Sequence, residues 1–349
     1  MSLPADFFHR VCRAGAQAPS GDNLQPWSFI IDGETLLVRH DPHRDLSLFN
    51  VRHLASFIAL GSAIENILIG ATEMRRHANI DYFPDSRDVQ LIARISFDSG
   101  AERDPLVDFI ERRCTNRRLY ATTPLDPQAS KNMQSVFENF TNVELSWVHE
   151  KTSLGELGRL IARADRLLFE NKHIHDHFFS TLRWNQAEVE STRDGLPIDT
   201  LELGQAGSLA FRCLKRWSVV KFLNRFGFSR TAANHSVALM RRCSAAGLLT
   251  VPESSPSAFL QAGRVFQRVW LQATKENLAL QPMTAVIFLQ LRSRLSEKEG
   301  LTPNQIRVID GLRRDLESFF AIPQDRVPAM LFRVGWGAPP SGRTIRRLH

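Results

Sequence analysis

The sequence lacks the features that mark several large classes of protein. Its 349 residues contain no uninterrupted apolar run of about 18, so a transmembrane helix and a membrane partner are not expected. The opening residues, MSLPADFFHR, include neither a basic stretch nor a long apolar stretch of the kind found in secretory signals. No low-complexity linker divides the chain. These absences predict a cytoplasmic, soluble protein, and the 43% of apolar residues is ample for a buried core.

Cysteine is scarce, and no two cysteines form a CxxC pair or a zinc-like cluster. The four are Cys12, Cys114, Cys213 and Cys243. Scattered cysteines in a chain of this size are typically reduced, and a redox role is not favoured. Three histidines alternate in the stretch 173–177, but side chains two apart on a helix diverge, so no metal site is predicted. No spacing indicates a Ser–His–Asp or Cys–His catalytic arrangement, and the catalytic residues stay unassigned.

The net charge of +7, from 44 basic and 37 acidic residues, is moderate. Nucleic acid, an anionic small molecule, or simply a basic surface would each account for it. The sequence contains no RNP motif, no zinc finger and no run of six basic residues, so nucleic acid is not the expected partner.

Hydrophobic periodicity predicts helices separated by short strands, some of them paired in hairpins, which indicates the α+β class. Helices are predicted over 6–18, 51–76, 104–113, from 126, over 154–190, over 204–242 with breaks at Gly227 and Asn234, over 257–278 and from 302. Strands are predicted over 27–31, 35–39, 89–97, 143–149, 247–251 and 329–334, followed by an extended tail at 335–349. The 51–76 helix is expected to be central and buried, and its segment 61–71 resembles 263–273 in apolar rhythm, a faint internal repeat.

The loop from Ala18 to Trp27, APSGDNLQPW, is the most informative stretch. Its polar side chains can hydrogen-bond a planar polar ligand, and its Pro/Gly-shaped backbone adds amide donors. A polar connection between a helix and a strand is the simpler interpretation from composition alone. The side chains concerned are Ser20, Asn23 and Gln25.

A second candidate is the basic stretch 112–118, RRCTNRR. On a helix or turn, Arg113 and Arg117 share one face, and guanidinium groups match the geometry of phosphate. The alternative is a solvated basic surface.

The loop resembles the A-P-S-x-x-N-x-Q-P-W pattern of the nitroreductase-like FMN-binding family. The resemblance implies that Ser20, Asn23 and Gln25 approach the isoalloxazine ring. The basic stretch is similar to the family's R-x-S-x-[RK] motif for the FMN phosphate, with Thr in place of Ser, and the residues that match are Arg113, Thr115 and Arg117.

The resemblance also implies two further groups of FMN contacts. Main-chain groups near Met283 and Thr284 fall where the family places amides against the flavin ring. Basic residues of the C-terminal tail are candidates for the phosphate, and spacing does not choose among Arg343, Arg346 and Arg347. An exposed basic tail is the alternative for each. Gly335 and Gly337 do not open a Rossmann loop, because Ala338, Pro339 and Pro340 follow them.

In ordinary members of the family the phosphate motif precedes the A-P-S loop, and two chains pair around the flavin. Here the order is reversed, which resembles the long single-chain, Acg-like branch, where two related halves form an internal pseudo-dimer. The resemblance implies a nitroreductase-like fold with halves at 1–103 and 104–349, a possible lid or insert at about 150–245, and one FMN per chain, whether the protein is a monomer or a homodimer.

The implied activity is an FMN-dependent oxidoreductase, in which NAD(P)H gives hydride to FMN and a small acceptor, a nitroaromatic or a quinone, then takes the electrons. One alternative is a non-enzymatic protein that binds or sequesters FMN beneath a lid. A less favoured alternative is a nucleic-acid-binding or partner-binding module.

Overall fold

The computed structural model describes Leu3 and residues 5–138 and 140–347, and it shows a mixed protein of helices and short strands. The strands are β1 (Trp27–Asp32), β2 (Thr35–His40), β3 (Arg76–Tyr82), β4 (Leu91–Ser99), β5 (Glu144–Val148), β6 (Leu182–Arg183), β7 (Leu196–Pro197), β8 (Ala245–Val251), β9 (Ala279–Pro282) and β10 (Val327–Gly335). The helices are α1 (Phe7–Ala16), α2 (Leu54–Thr72), α3 (Pro127–Ser135), α4 (Lys151–Asp165), α5 (Leu167–Glu170), α6 (Lys172–Thr181), α7 (Gln186–Thr192), α8 (Gly204–Cys213), α9 (Trp217–Leu223), α10 (Phe228–Arg241), α11 (Pro256–Lys275), α12 (Thr284–Arg294) and α13 (Pro303–Phe319).

Two four-stranded antiparallel sheets have the same arrangement. The first has the order β1-β2-β4-β3, and the second has the order β5-β8-β10-β9. In chain order, the first sheet is built from a helix, two strands, a long helix and two strands, and the second follows the same order with two additional segments. Residues 149–244 separate β5 from β8, and residues 283–326, which include α12 and α13, separate β9 from β10. In the first set, a hairpin at Gly33 joins β1 to β2. The antiparallel pairing agrees with the α+β expectation.

Local sequence explains several of these boundaries. The Asp126 side chain accepts a hydrogen bond from the Gln128 amide, and proline fills the first position of α3, as expected for a helix start. Thr302 and Gln305 form a capping box at the start of α13. At the turn between β1 and β2, Gly33 has a φ of 60°, which glycine adopts without strain.

The long helices α2 and α11 pack against each other through glycines. A Cβ atom added at Gly61 would lie 2.0 Å from the Leu260 carbonyl oxygen, and one at Gly263 would lie 2.1 Å from the Ile58 carbonyl oxygen. Each glycine therefore contacts the residue three positions before the other glycine. This reciprocal contact is what a two-fold relation between the helices requires. The Ser62 hydroxyl also donates to the Gly263 carbonyl at 2.9 Å.

The apolar helix α2 is a core element. The segment Val51–Thr72 is long and apolar enough to cross a membrane by length and composition, but 89% of its apolar window is buried inside the protein. The expectation of a central, buried helix is thus confirmed. One of its polar side chains links it to the neighbouring helix, because the Asn66 amide donates to the Ala14 carbonyl at 2.9 Å.

Three predictions of secondary structure are wrong. The helix predicted to reach Arg76 ends at Thr72, because Arg75 adopts a φ of 57° and residues 76–82 pair with β4 instead. The helix predicted over 104–113 is a 3-10 turn at Val107–Phe109, where Asp104 accepts from the Leu106 amide. The expected break at Asn234 is absent from the described helix α10, although the break at Gly227 is confirmed.

The absence of the helix predicted over 104–113 has a physical cause. Pro105 after Asp104 is a sound helix-start signal, but the segment buries Leu106 and Ile110 against Ile69 and Leu271 of the two long helices. Tertiary packing of these side chains outweighs the local preference. The predicted extended tail is described as far as Arg347, and its last two residues lie outside the described part.

Candidate functional site

The loop after α1 is held in an unusual backbone conformation. Asp22, Asn23 and Gln25 have positive φ values of 45°, 57° and 54°. The Ser20 hydroxyl accepts a hydrogen bond from the Gln25 amide at 3.0 Å and so closes the loop. Three non-glycine residues in the left-handed region within four positions cost free energy, and such strain concentrates at functional sites.

Arg113 connects this loop to α11. Its guanidinium lies over the Trp270 ring, 4.5 Å from the centroid, and donates to the Gln17 carbonyl at 2.8 Å. The residue is buried, and its Nε atom has no hydrogen-bond partner among the described residues. A buried guanidinium with an unused donor is suited to an anionic ligand.

The chain beyond Arg113 is extended rather than helical. Thr115 forms a parallel bridge with Leu280, and the Asn116 amide donates to the Leu280 carbonyl at 3.1 Å. Arg117 donates to the Thr200 carbonyl at 3.2 Å. Arg117 is therefore positioned by the pairing of Thr115 and Asn116 with the edge of β9, and not by a helix.

The C-terminal tail returns to the same loop. Arg343 donates to the main-chain carbonyl of Glu111 at 3.1 Å. Arg346 donates to the Asn23 side-chain oxygen at 2.8 Å, and the Arg347 amide donates to the Gln25 side-chain oxygen at 2.9 Å. Segments more than 300 residues apart in the chain thus meet at one place.

These segments enclose a cavity of about 110 Å³, which we call the arginine cavity. Seven of the residues predicted from sequence line it: Ser20, Asn23, Arg113, Thr115, Arg117, Arg343 and Arg346. The other residues that line it are Gln17, Pro19, Asp22, Glu111, Cys114, Leu196, Thr200, Gly342 and Thr344.

Four predicted residues lie outside this lining. Gln25 is fully buried beneath the loop, where its amide donates to the Arg193 carbonyl at 2.9 Å. Arg347 donates to the main-chain carbonyl of Gln25 at 2.7 Å. Met283 and Thr284 begin α12, and the Met283 amide donates to the Leu331 carbonyl at 2.8 Å within the second sheet. That amide is therefore committed to the protein's own backbone.

The electrostatics of the arginine cavity favour an anion. Burial, together with the nearby Arg346 cation, lowers the pKa of Arg113 to about 9. Burial likewise lowers the pKa of Arg346 to about 10, and it lowers the pKa of Arg117. Each lowered pKa means that the cation is held at a free-energy cost, which a bound anion would offset.

Two acidic residues line the arginine cavity: Glu111 forms an ion pair with Arg13, and Asp22 reduces the positive potential inside the cavity. Burial and the neighbouring Asp45 carboxylate raise the pKa of Asp22, while His177, Arg117 and a hydrogen bond with Thr181 act in the other direction. The Asp22 carboxyl group is therefore more readily protonated than an ordinary aspartate. When it ionises, it competes with any external anion for the cavity's positive charge.

We expect Asp22→Asn to tighten the binding of sulfate, a probe that stays dianionic near neutral pH. In the wild type, affinity should fall as the pH rises through the raised pKa of Asp22, because the carboxylate then repels the anion. The variant should lose most of this fall and bind roughly tenfold tighter above that pKa. Asparagine tolerates the positive φ, so the loop is retained.

Titration calorimetry of sulfate across a pH series measures this effect. His177→Gln is the control, because it removes the imidazole that faces Asp22 and leaves the Asp22 carboxyl group in place. If Asp22→Asn leaves both the affinity and its pH dependence unchanged, Asp22 has no influence on the cavity.

The arginine cavity fits a phosphate group but not a whole flavin. Its volume of about 110 Å³ is below the range of about 300–1,000 Å³ typical of small-molecule sites. The polar groups of the loop face the chain itself: the Asn23 amide donates to the Gly195 and Ile345 carbonyls at 3.2 and 3.0 Å. A ring system beside Asn23 would require residues 193–196 or the tail to move.

Four of the residues that line the arginine cavity were missed from sequence. Leu196 and Thr200 come from the region around β7, and Glu111 and Cys114 lie close to Arg113 in the chain. No local signal marks Leu196 or Thr200, because only the folding of residues 149–244 brings them near. Glu111 adjoins the basic stretch and Cys114 lies within it, and this proximity was the one available clue.

No family model matches the chain. Among curated proteins, the chain is 25% identical over 342 residues to the uncharacterized protein MT1398 of Mycobacterium tuberculosis (strain CDC 1551 / Oshkosh). The match covers 97% of this chain and 47% of that protein, so the chain spans about half of the relative's length.

Solved structures give weaker similarities. An iodotyrosine deiodinase bound to FMN and 3-iodo-L-tyrosine is 12% identical, with coverage of 69% of this chain and 95% of that chain and a TM-score of 0.39. An FMN- and NADPH-dependent nitroreductase from sphigopyxis sp. strain HMH is 11% identical, with coverage of 69% and 95% and a TM-score of 0.38. A nitroreductase with bound FMN from Bacteroides fragilis is 10% identical, with coverage of 70% and 95% and a TM-score of 0.37. Similarity of this size does not establish a ligand, which depends on the chain's own residues.

Proposed function

We propose that the protein is an FMN-dependent oxidoreductase of nitroreductase type, with the FMN phosphate held in the arginine cavity. One observation carries the proposal: the A-P-S loop and the Arg113–Arg117 stretch, about 90 residues apart in sequence, line the same buried, basic cavity. The sequence resemblance implies one ligand for both motifs. Two segments that had no common ligand would not be expected to meet at a buried site whose positive charge suits phosphate.

Within this proposal, Arg113, Thr115 and Arg117 bind the phosphate, with Arg343 or Arg346 as an additional donor. Once residues 193–196 or the tail have moved from Asn23, the strained loop presents Ser20 and Asn23 toward the flavin ring. FMN, when bound, would supply the redox chemistry, namely hydride transfer from NAD(P)H and electron transfer to a small acceptor such as a nitroaromatic or a quinone. The protein's contribution is to bind and orient the cofactor and to place positive charge around it.

We also propose that the chain is an internal pseudo-dimer, with halves at 1–103 and 104–349. The identical strand order of the two sheets and the reciprocal Gly61 and Gly263 contacts support this division. Residues 150–245 then form an insert in the second half, at the position of the Gly33 hairpin in the first. The A-P-S loop comes from one half and the Arg113–Arg117 stretch from the other, so one composite site arises within one chain.

A second candidate function is FMN binding without turnover. The observation that favours it is the covering of the loop by residues 193–196 and by the tail, including the Arg193 Nε donation to the Arg346 carbonyl at 2.8 Å. If this cover stays closed over a bound flavin, NAD(P)H cannot reach the ring.

The colour of the purified protein tests the shared part of both candidates. We expect non-covalent FMN, identified after denaturation by chromatography of the released chromophore. A colourless protein that also fails to take up added FMN would contradict the proposal. Anaerobic addition of NAD(P)H separates the two candidates: bleaching of the flavin indicates an oxidoreductase, and an unchanged spectrum indicates sequestration.

One chain is expected to be sufficient for one flavin site. Asn23→Ala and Arg117→Ala each impair a different half of the proposed composite site. A mixture of the two variants should therefore bind no more FMN than the variants do separately, because each chain carries its own defect.

The stoichiometry and the mixture are both measured by flavin absorption after gel filtration, with wild type mixed with either variant as the control. Subunits are allowed to exchange before the measurement. Recovery of FMN binding in the mixture of the two variants would show that sites form between chains, and the pseudo-dimer would be rejected while the FMN assignment remained.

A further inference from the structure

A second cavity lies on the other side of the C-terminal tail. Its volume is about 490 Å³, more than four times that of the arginine cavity, and we call it the arginine groove. The two share four wall residues, Gln17, Arg343, Thr344 and Arg346. The remaining residues of the groove are His9, Arg13, Ala16, Arg193, Ile345 and Arg347.

The groove is strongly basic. Five of its ten lining residues are arginines, one is a histidine, and none is acidic. Among the described residues, only Arg13 of the five arginines has a carboxylate partner, Glu111 at 2.7 Å, and both of these side chains are exposed. The nearby Asp194 forms ion pairs with Arg44 and Arg183 instead.

The other four arginines donate to neutral acceptors rather than to acids, most of them main-chain carbonyls, and Arg346 donates also to the side chains of Asn23 and Thr344. Arg193 donates to the Arg346 carbonyl at 2.8 Å, and Arg347 donates to the Gln25 and Trp27 carbonyls at 2.7 and 3.2 Å. The Nε atoms of Arg346 and Arg347 are buried and have no partner among the described residues. Neutral acceptors fix the side chains in place without neutralising their charge. The carboxylates of Asp194 and Asp41 offset part of the charge of Arg347, and an anionic ligand would stabilise the positive charge that remains in the groove.

We propose that the arginine groove binds a nucleotide that carries at least two phosphate groups. Its volume lies within the range of small-molecule sites, about 300–1,000 Å³, and exceeds what one phosphate needs. The three guanidinium groups that line the groove and not the cavity, those of Arg13, Arg193 and Arg347, match more than one phosphate. Ala16, Ile345 and His9 provide a less polar wall for a base or ribose. The site is separate from the proposed FMN phosphate site, since Arg13 and Arg193 line only the groove and Arg113 and Arg117 line only the cavity.

Titration calorimetry of the purified full chain with adenosine, AMP and ADP tests the proposal. ADP is expected to bind at least about tenfold tighter than AMP, and adenosine should bind far more weakly than either, because each added phosphate gains charge-assisted hydrogen bonds. The double variant Arg13→Gln, Arg193→Gln should weaken ADP binding about tenfold or more.

The matched control is Arg10→Gln, one turn before Arg13 on α1, whose side chain is half exposed, pairs with Asp6 and does not line the groove. It should leave the affinity for ADP unchanged. Arg13→Gln alone is a further check, because its exposed side chain can be replaced without loss of the fold.

Arg117→Ala separates this inference from the FMN proposal. ADP binding that persists in this variant supports a distinct site, whatever its FMN content. Equal binding of ADP and AMP, or equal ADP affinity in the double variant and the wild type, would overturn the nucleotide assignment and leave the FMN proposal to its own test.

Discussion

Replacing Arg113 and Arg117 together is expected to abolish stable FMN binding. Each guanidinium in the arginine cavity is available for charge-assisted hydrogen bonds to phosphate, worth about 1.5–3 kcal/mol apiece. Losing one should weaken the affinity for FMN about tenfold or more, and losing both about a hundredfold or more. The FMN dissociation constant, measured by flavin fluorescence quenching, gives the result.

The choice of replacement matters at Arg113, because its guanidinium also packs on the Trp270 ring. Arg113→Met keeps much of that contact, and Arg117→Ala removes a side chain whose one protein acceptor among the described residues is the Thr200 carbonyl. The matched control is Arg112→Ala, which removes an exposed arginine that lies over the Phe109 ring, outside the cavity. Circular dichroism establishes that the variants are folded. Wild-type affinity in the folded double variant would remove the arginine cavity from the proposed FMN site.

The second large effect is expected at the glycines between α2 and α11. Gly61→Ala and Gly263→Ala each place a Cβ atom about 2 Å from a carbonyl oxygen of the opposite helix. The obstacle is backbone, which cannot move aside as a side chain can, so the helices must separate. We expect each substitution to lower the free energy of unfolding by about 3 kcal/mol.

Gly155→Ala provides the matched control for the same chemical change in a helix. Its added Cβ atom would lie 3.4 Å from the flexible Arg241 side chain, so the gain in helix propensity, up to about 1 kcal/mol, should be retained. Urea denaturation compares the three variants. Gly61→Ala or Gly263→Ala proteins as stable as Gly155→Ala would show that the close helix contact does not exist in solution.

The expected loss of FMN affinity and the expected loss of stability are linked through the fold. Arg113 packs on Trp270 of α11, and the loop follows α1, which is fixed to α2 by the Asn66 hydrogen bond to Ala14. A shift of α2 relative to α11 therefore moves the loop relative to Arg113. The glycine variants that remain folded should consequently also bind FMN more weakly, whereas Gly155→Ala should not.

Much of the secondary structure follows from local rules. The hairpin at Gly33, the caps at Asp126 and Thr302, and the buried helix α2 were predicted, because turn chemistry, capping and apolar periodicity act within a few residues. The failures lie where a partner in space decides the structure. Strand β3 forms because β4 pairs with it, and the 104–113 segment stays a turn because two helices cover its apolar residues.

The candidate site likewise has a part that the sequence predicts and a part that only the fold decides. The resemblance to a known motif, rather than residue type and spacing alone, marked the A-P-S loop and the Arg113–Arg117 stretch as candidate ligand-binding segments. The choice among the tail arginines was not possible from spacing. The structure places Arg343 and Arg346 in the lining of the arginine cavity and Arg347 in that of the groove alone.

The sequence by itself determined which segments are candidates for binding a ligand, because side-chain type and short-range spacing are properties of the chain. Tertiary structure decided which of those segments meet, how far each arginine is buried, and that residues 193–196 and the tail cover the loop. Burial and long-range contact depend on the packing of α2 on α11 and on the return of the tail to Asn23, and no local pattern encodes either. The loss of solvent around Arg113 and Arg346, which follows from that packing, turns a set of basic residues into a site for an anion.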